Sequence, residues 1–466
     1  MSTRLALLAL YAGGLVAAGL WISRRVRVAG DFFVAGRQLP TGLVFTTLLA
    51  ANIGAGSTVG AAGLAYRHGL SAWWWSGCAA LGCLLLGLVV APRMHALAAA
   101  QGHLTVGDFL EARFDRSLRA LVAGLLWLGT LSILAGQLLA MAWAIEAVAG
   151  LPKAWGCVLA GVVLVAYFSA GGLLAAAWVN LLELVVLLAG FALAVPYAWS
   201  AAGGWSGLRA AGGAEAAAAY ASPFGMGGAA LLGLLVTFVP SFAVSPGLVQ
   251  KTYGARSAAS ARRAVLWNAA ALFVFAFVPP LLGMAARATR PGLANPELAL
   301  PVLLADVLPA WVGSLGLVAL FAAEISTADA VLFMLSTSLA QDLYRTFVDP
   351  TAPDARLLRV SRWTAVGAGT AGVAVALFVP SVADALKMFY GVMTVALFVP
   401  VLAGLLAPRV RARDARWGVV AGTITTASSL YLLGGAPTRA WLPYLLGIAA
   451  SAVVCGAGPR WGRARD

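Results

Sequence analysis

Two adjacent hydroxyls, Ser326 and Thr327, lie inside the apolar stretch 310–340, and a second apolar stretch, 41–65, is interrupted at mid-depth by LLAANIGAGSTVG, residues 48–60. The interruption brings three glycines, Asn52, Ser57 and Thr58 to a depth where backbone outside the helical ladder strands N–H and C=O groups at several kcal/mol each. Such backbone persists only where protein, ion or solute satisfies it. Hydroxyls facing freed carbonyls offer an oxygen-only environment, which suits a hard cation such as Na+ without burying an anion. Ser326 and Thr327 set against the carbonyls of Ala50 and Ile53 would make that cage. On the residues alone a second reading stays open, in which each hydroxyl bonds back to its own helix one turn earlier.

Other polar residues at membrane depth extend the candidate chemistry. Asn180 and Glu183 share one apolar run, and Glu183 either relays a cation or reaches water near the end of its span. Glu324 and Asp329 flank the hydroxyl pair. At about 100° per residue they cannot all face one cavity, so Glu324 is expected to pair with another helix and Asp329 to line an exit path. Gln137 and Asn268 are isolated amides, suited equally to interhelical hydrogen bonds and to solute contact. The run Trp73, Trp74 and Trp75 reads as an aromatic belt. His68, His95 and His103 lack metal-ligand spacing. No phosphate-binding loop, nucleophile elbow or HExxH pattern is present, so no enzymatic chemistry is visible.

The elements that position these residues follow from composition. Of 466 residues 62% are hydrophobic and 10% charged, against roughly 25% charged in soluble domains. The chain therefore reads as an all-α, polytopic protein of the bilayer. A net charge of +14 is compatible with nucleic-acid binding in general, but here basic residues sit singly between apolar runs rather than on one face, which excludes that class. Four cysteines show no metal or disulfide spacing.

Apolar runs of membrane-spanning length lie near 4–22, 41–65, 70–92, 118–149, 154–170, 173–200, 225–249, 264–286, 310–340, 363–380, 385–407, 417–434 and 440–457, about thirteen spans. The first lacks the charge order of a signal peptide, since Arg24, Arg25 and Arg27 follow it. Alternate loops collect most of the 31 basic residues, Lys251 among them, which places the N-terminus outside and the C-terminus in the cytoplasm of a cell membrane. No soluble domain interrupts the bundle.

A second interruption is expected at Pro240 to Gly247, where two prolines remove backbone donors; a simple proline kink is the alternative. With 4–22 and 417–457 peripheral, the two interruptions fall in the first helix of two five-helix sets, 41–200 and 225–407. Paired broken helices point to a solute and ion site at the midplane.

Several runs resemble, in order, the signatures of the sodium:solute symporter family: FFVAGRQLP at 32–40, AANI at 50–53, YFSAGGL at 167–173 with WVN at 178–180, SPGLVQ at 245–250, and STAD at 326–329 with QDLY at 341–344. The resemblance covers nearly the whole chain. It implies a LeuT-type inverted repeat and Na+-driven solute uptake by alternating access. It also implies a sodium site of Ala50, Ile53 and Ala323 carbonyls with the Ser326 and Thr327 hydroxyls. Family members commonly carry aspartate where this chain has Asn180 and glutamine where it has Glu183, so a second sodium site is not implied.

For the solute, small residues after the first interruption expose a helix N-terminus, whose partial positive charge favours a carboxylate. The expectation is a small carboxylate or amino-acid-like compound contacted by Ser57, Thr58, Gln137 and Ser241, with Phe242 and Tyr390 as gate or packing aromatics. A proton-coupled transporter of the same fold and a membrane-embedded solute sensor are the competing classes. Nothing in the sequence fixes a subunit number.

Overall fold

A computed structural model of the chain describes residues 3–23, 34–168, 172–433 and 439–461. Arg24, Arg25, Arg27, Phe32 and Phe33, residues 169–171 of the YFSAGGL run, and Arg463 and Arg465 lie outside the described residues, and so do the side chains of Tyr167, Phe168 and Trp178. The architecture is helical throughout. Among the described residues the only β-type pairing is an isolated bridge between Leu39 and Ala255.

The chain runs through α1 (Thr3–Ser23), α2 (Thr41–Asn52), α3 (Ala61–His68), α4 (Trp73–Leu85), α5 (Ala91–Gln101), α6 (Val106–Arg113), α7 (Arg116–Ala149), α8 (Lys153–Phe168) and α9 (Gly172–Ala201). It continues through α10 (Gly228–Ala243), α11 (Pro246–Tyr253), α12 (Ala258–Phe275), α13 (Val278–Thr289), α14 (Ala310–Thr337), α15 (Asp354–Phe378), α16 (Val382–Leu406), α17 (Ala412–Leu432) and α18 (Leu442–Trp461). Among the described residues seven helical stretches are long and apolar enough to cross a membrane, and four shorter apolar helices accompany them.

One helix organises the rest. The most apolar window of the stretch Ala310–Val348 is 94% buried, against 44% for Val179–Ala201. A helix hydrophobic all round and shielded all round is the centre of a bundle. Accordingly α14 packs against α2, α7 and α9, while α1 lies on α8, α9 and α14, and α17 and α18 pair beside α16.

Both interruptions are present. The helix α2 ends at Ile53 (φ −100°, ψ 92°), and after Gly54 and Ala55 the chain resumes in a wide turn, Gly56–Gly60, that leads into α3. The second break falls within the expected window, Pro240 to Gly247. Helix α10 runs through Pro240 and stops at Val244 (φ −124°, ψ 12°); Ser245 is non-helical, and Pro246 opens α11, the position where a missing N–H costs least. The chain tolerates Pro240 because hydroxyls take up carbonyls around it: Thr237 O accepts from Ser241 at 2.9 Å and from Thr394 at 2.5 Å.

The two broken segments are tied together at one end, where Leu39 N–H donates to Gly254 O at 2.9 Å and Arg256 N–H to Leu39 O at 3.2 Å. A second tie fixes α16. The buried Glu297 carboxylate accepts from the Val382 and Ala383 N–H groups at 3.0 and 3.2 Å and from Trp143 Nε1 at 3.1 Å. An acidic side chain on a helix N-terminus is favourable, although burial still leaves this carboxyl above its ordinary range.

Candidate functional site

The cage residues converge. Ser326 Oγ donates to Ala50 O at 3.1 Å and to Ala323 O at 3.0 Å, and Thr327 Oγ1 donates to Ala50 O at 3.2 Å. Ser326 thus has acceptors both on its own helix and across on α2, whereas Thr327 reaches only across to α2. Ile53 is fully buried at the point where α2 loses helical backbone. These oxygens belong to two helices held side by side at the break.

Around the break, side chains replace the lost ladder. Ala55 N–H donates to Gln137 Oε1 at 2.8 Å, Gly54 N–H to Ser57 Oγ at 3.0 Å, and Ser57 Oγ in turn reaches Asn52 O at 3.0 Å. Thr58 Oγ1 contacts Gly54 O at 2.9 Å and Glu324 Oε1 at 2.7 Å. Glu324 thus finds the interhelical partner expected of it. Its other oxygen is buried without a hydrogen bond.

A narrow cavity of about 70 Å³ lies between the two breaks. Ser57, Gln137, Thr327, Phe242 and Tyr390 line it. Thr58 and Ser241 do not belong to its lining, since Thr58 points back to Glu324 and Ser241 bonds to Thr237 O and Phe238 O of its own helix. Phe242 and Tyr390 pack with ring centroids 5.1 Å apart, and Phe238 lies 4.5 Å from Tyr390.

Two contributors were read differently in the sequence. Trp75 is not a belt residue: it is 3% exposed and lines the cavity, with its ring 4.8 Å from Phe238. Lys251, assigned to a loop, is instead buried on α11 and also lines the cavity. Its Nζ donates to Thr47 O at 3.0 Å and Thr47 Oγ1 at 2.8 Å, and Asn180 Nδ2 donates to the same Thr47 Oγ1 at 3.1 Å. Glu183 and Asp329 are buried and act electrostatically on this ammonium. Glu183 therefore does not reach water. The helix-opening Pro246 was the available signal for Lys251, because a helix begun there carries the lysine into the bundle.

Each end of the cavity has its own closure. Trp75 and Phe238 also line a wider cavity bearing Lys387 and Arg439. Met334 separates the central cavity from a smaller one beside Arg119 and Asp342. There the Arg119 guanidinium meets Asp108 and Glu111 at 2.7 Å and Asp342 at 2.8 Å, joining α6 and α7 to the end of the α14 stretch.

Glycine is required at position 54. A Cβ there would lie 2.3 Å from Thr327 Oγ1 and 2.7 Å from Gln137 Oε1. Overpacking of this kind costs about 1–3 kcal/mol, and here it falls between the cage and the cavity. Gly54→Ala is expected to raise the Na+ concentration for half-maximal thermal stabilisation at least about tenfold; an unchanged midpoint would mean the break relaxes freely.

Among the described residues no group of three or more His, Cys, Asp and Glu could hold a metal ion.

Comparison with known proteins gives a consistent account. Residues 32–422 match the family described as Sodium:solute symporter family. A sodium/glucose cotransporter of Vibrio parahaemolyticus is 26% identical over 89% of this chain and 82% of its own length, and a sodium/pantothenate symporter of Escherichia coli is 26% identical over 85% and 83%. A solved Na+-coupled sialic acid symporter in a substrate-bound, outward-open state superposes with a TM-score of 0.83 at 19% identity, covering 99% of this chain and 98% of that one.

Proposed function

The chain belongs to the sodium:solute symporter family, and on that footing we propose that it imports a small carboxylate or amino-acid-like solute, coupled to Na+ held by Ala50, Ile53, Ala323, Ser326 and Thr327. The observation that carries the reading is that the Ser326 and Thr327 hydroxyls meet on Ala50 O at a helix break, with Ala323 O as the other acceptor of Ser326. The same break supplies Ser57 to the cavity, and Thr327 borders both cage and cavity.

The cavity supports an amphiphilic solute. Trp75, Phe238, Phe242, Phe389 and Tyr390 offer a ring-lined wall, while Asn52, Ser57, Gln137 and Lys251 gather at the breaks. A carboxylate would sit against the break, with Ser57 and Gln137 as contacts and the apolar body against Phe242 and Tyr390. Thr58 and Ser241 act behind this wall, by fixing the backbone that forms it. Asn180, Glu183 and Asp329 stand along the ion path.

For the whole chain we propose thirteen spans in a 5+5 inverted repeat, 41–200 and 225–407, with the N-terminus outside and the C-terminus cytoplasmic. The two breaks at Ile53 and Val244, each near the start of its half, support that division.

Uptake into proteoliposomes tests the function. With a panel of radiolabelled small carboxylates and amino acids, an inward Na+ gradient is expected to drive accumulation at least about tenfold above an equal K+ gradient. Accumulation that follows an imposed proton gradient and ignores Na+ would overturn the reading.

A further inference from the structure

Lys251 is the one feature of the core that the sodium cage leaves unexplained. An ammonium in the interior is costly unless it is paired and hydrogen-bonded. At 1% exposure Lys251 has two oxygen acceptors, Thr47 O and Thr47 Oγ1, and lies in the field of two carboxylates, Asp329 and Glu183, themselves 4% and 0% exposed. Asn180, also fully buried, completes the group through Thr47 Oγ1.

The surroundings are those a free monovalent cation would take: a backbone carbonyl, a hydroxyl and nearby carboxylates. Their place in the fold is informative too. Thr47 precedes Ala50 on α2 by three residues, and Asp329 follows Ser326 on α14 by three. The group therefore repeats, about one helical turn away, the same α2 to α14 pairing that builds the cage.

We propose that the Lys251 ammonium is a resident, tethered cation occupying a second cation position beneath the cage, so that the protein binds a single exchangeable Na+. A tethered ion has a very high effective concentration at its own site, so Na+ at ordinary concentrations does not displace it. Its stem belongs to α11, the helix after the second break, so the ammonium also ties that break to the first one.

The inference rests on the cage reading, and the test separates the two. Purified full-length protein in detergent is titrated with radiolabelled Na+ to saturation and the bound ions per chain are counted. Wild type is expected to bind one Na+ and Lys251→Met two, the second taking the place of the ammonium. Lys251→Met with Asp329→Asn removes the cation together with a carboxylate, and is expected to fold and to bind one.

A purely structural lysine would alter stability in these variants without altering the count. Two ions on wild type, or one on a folded Lys251→Met protein, would overturn the tethered-cation inference and leave the cage standing. If Lys251→Met does not fold, failure of the double variant to fold as well would overturn the inference. No Na+ on wild type would overturn the cage reading itself.

Discussion

Ser326→Ala combined with Thr327→Ala is expected to remove the Na+ response of this protein while leaving it folded. The two hydroxyls are the only side-chain oxygens in the proposed cage, and a hydrogen-bonding group acting on a charge contributes about 1.5–3 kcal/mol. Losing both should weaken Na+ binding by roughly 10²-fold or more. Without Na+ the hydroxyls donate only to the Ala50 and Ala323 carbonyls, at about 1 kcal/mol apiece, so the fold should survive. The measurement is thermal denaturation across a Na+ titration, where a ligand at about 100 times its Kd adds about 2.7 kcal/mol. A double variant that keeps the wild-type midpoint would exclude Ser326 and Thr327 as ligands.

The second large effect is expected at Arg119. One guanidinium satisfies three carboxylates there, two of them on α6 and one, Asp342, on the stretch that continues α14. Asp342 also accepts from Thr105 at 2.5 Å. Arg119→Met leaves buried anions unpaired, which costs about 3–5 kcal/mol, and separation of these elements relieves the cost. The equilibrium should shift toward opening at this end by roughly 10²–10³-fold. A cysteine at Met334 reports on it: maleimide labelling is expected to be slow with Arg119 present and fast with methionine. The exposed pair Arg356 and Asp349 serves as the control, since surface ion pairs contribute little. Equal labelling rates in Arg119→Met and wild type would remove this network from any gating role.

What the sequence made legible, and what it hid, follows from how each residue acts. The meeting of Ser326 and Thr327 with Ala50 could be read because its parts are local: two adjacent hydroxyls, and a glycine-rich gap in a span that no stable helix would carry without cause. The second break lies inside the expected Pro240 to Gly247, but the helix stops at Val244 and not at Pro240, because proline removes a donor without dictating where the helix stops. Thr58 and Ser241 were expected at the cavity because hydroxyls at depth suggest contact with solute. Whether a hydroxyl faces solute or its own backbone depends on packing that the spacing does not encode. Lys251 was invisible for a different reason. Counting positive charges by loop assumes that lysines near helix ends reach water, yet a four-carbon stem can lie along apolar surface, and here the head turns inward to Thr47.

The two closures of the cavity differ in what must move. On one side Trp75, Phe238 and Tyr390 pack ring against ring, and such rings can turn without moving the helices that carry them. On the other, Arg119 ties three helical segments through buried charge, and its release requires those segments to part, a collective motion of microseconds to milliseconds. For a transporter built this way, solute exchange is expected to be faster through the aromatic side, and turnover to follow the release of the ionic closure.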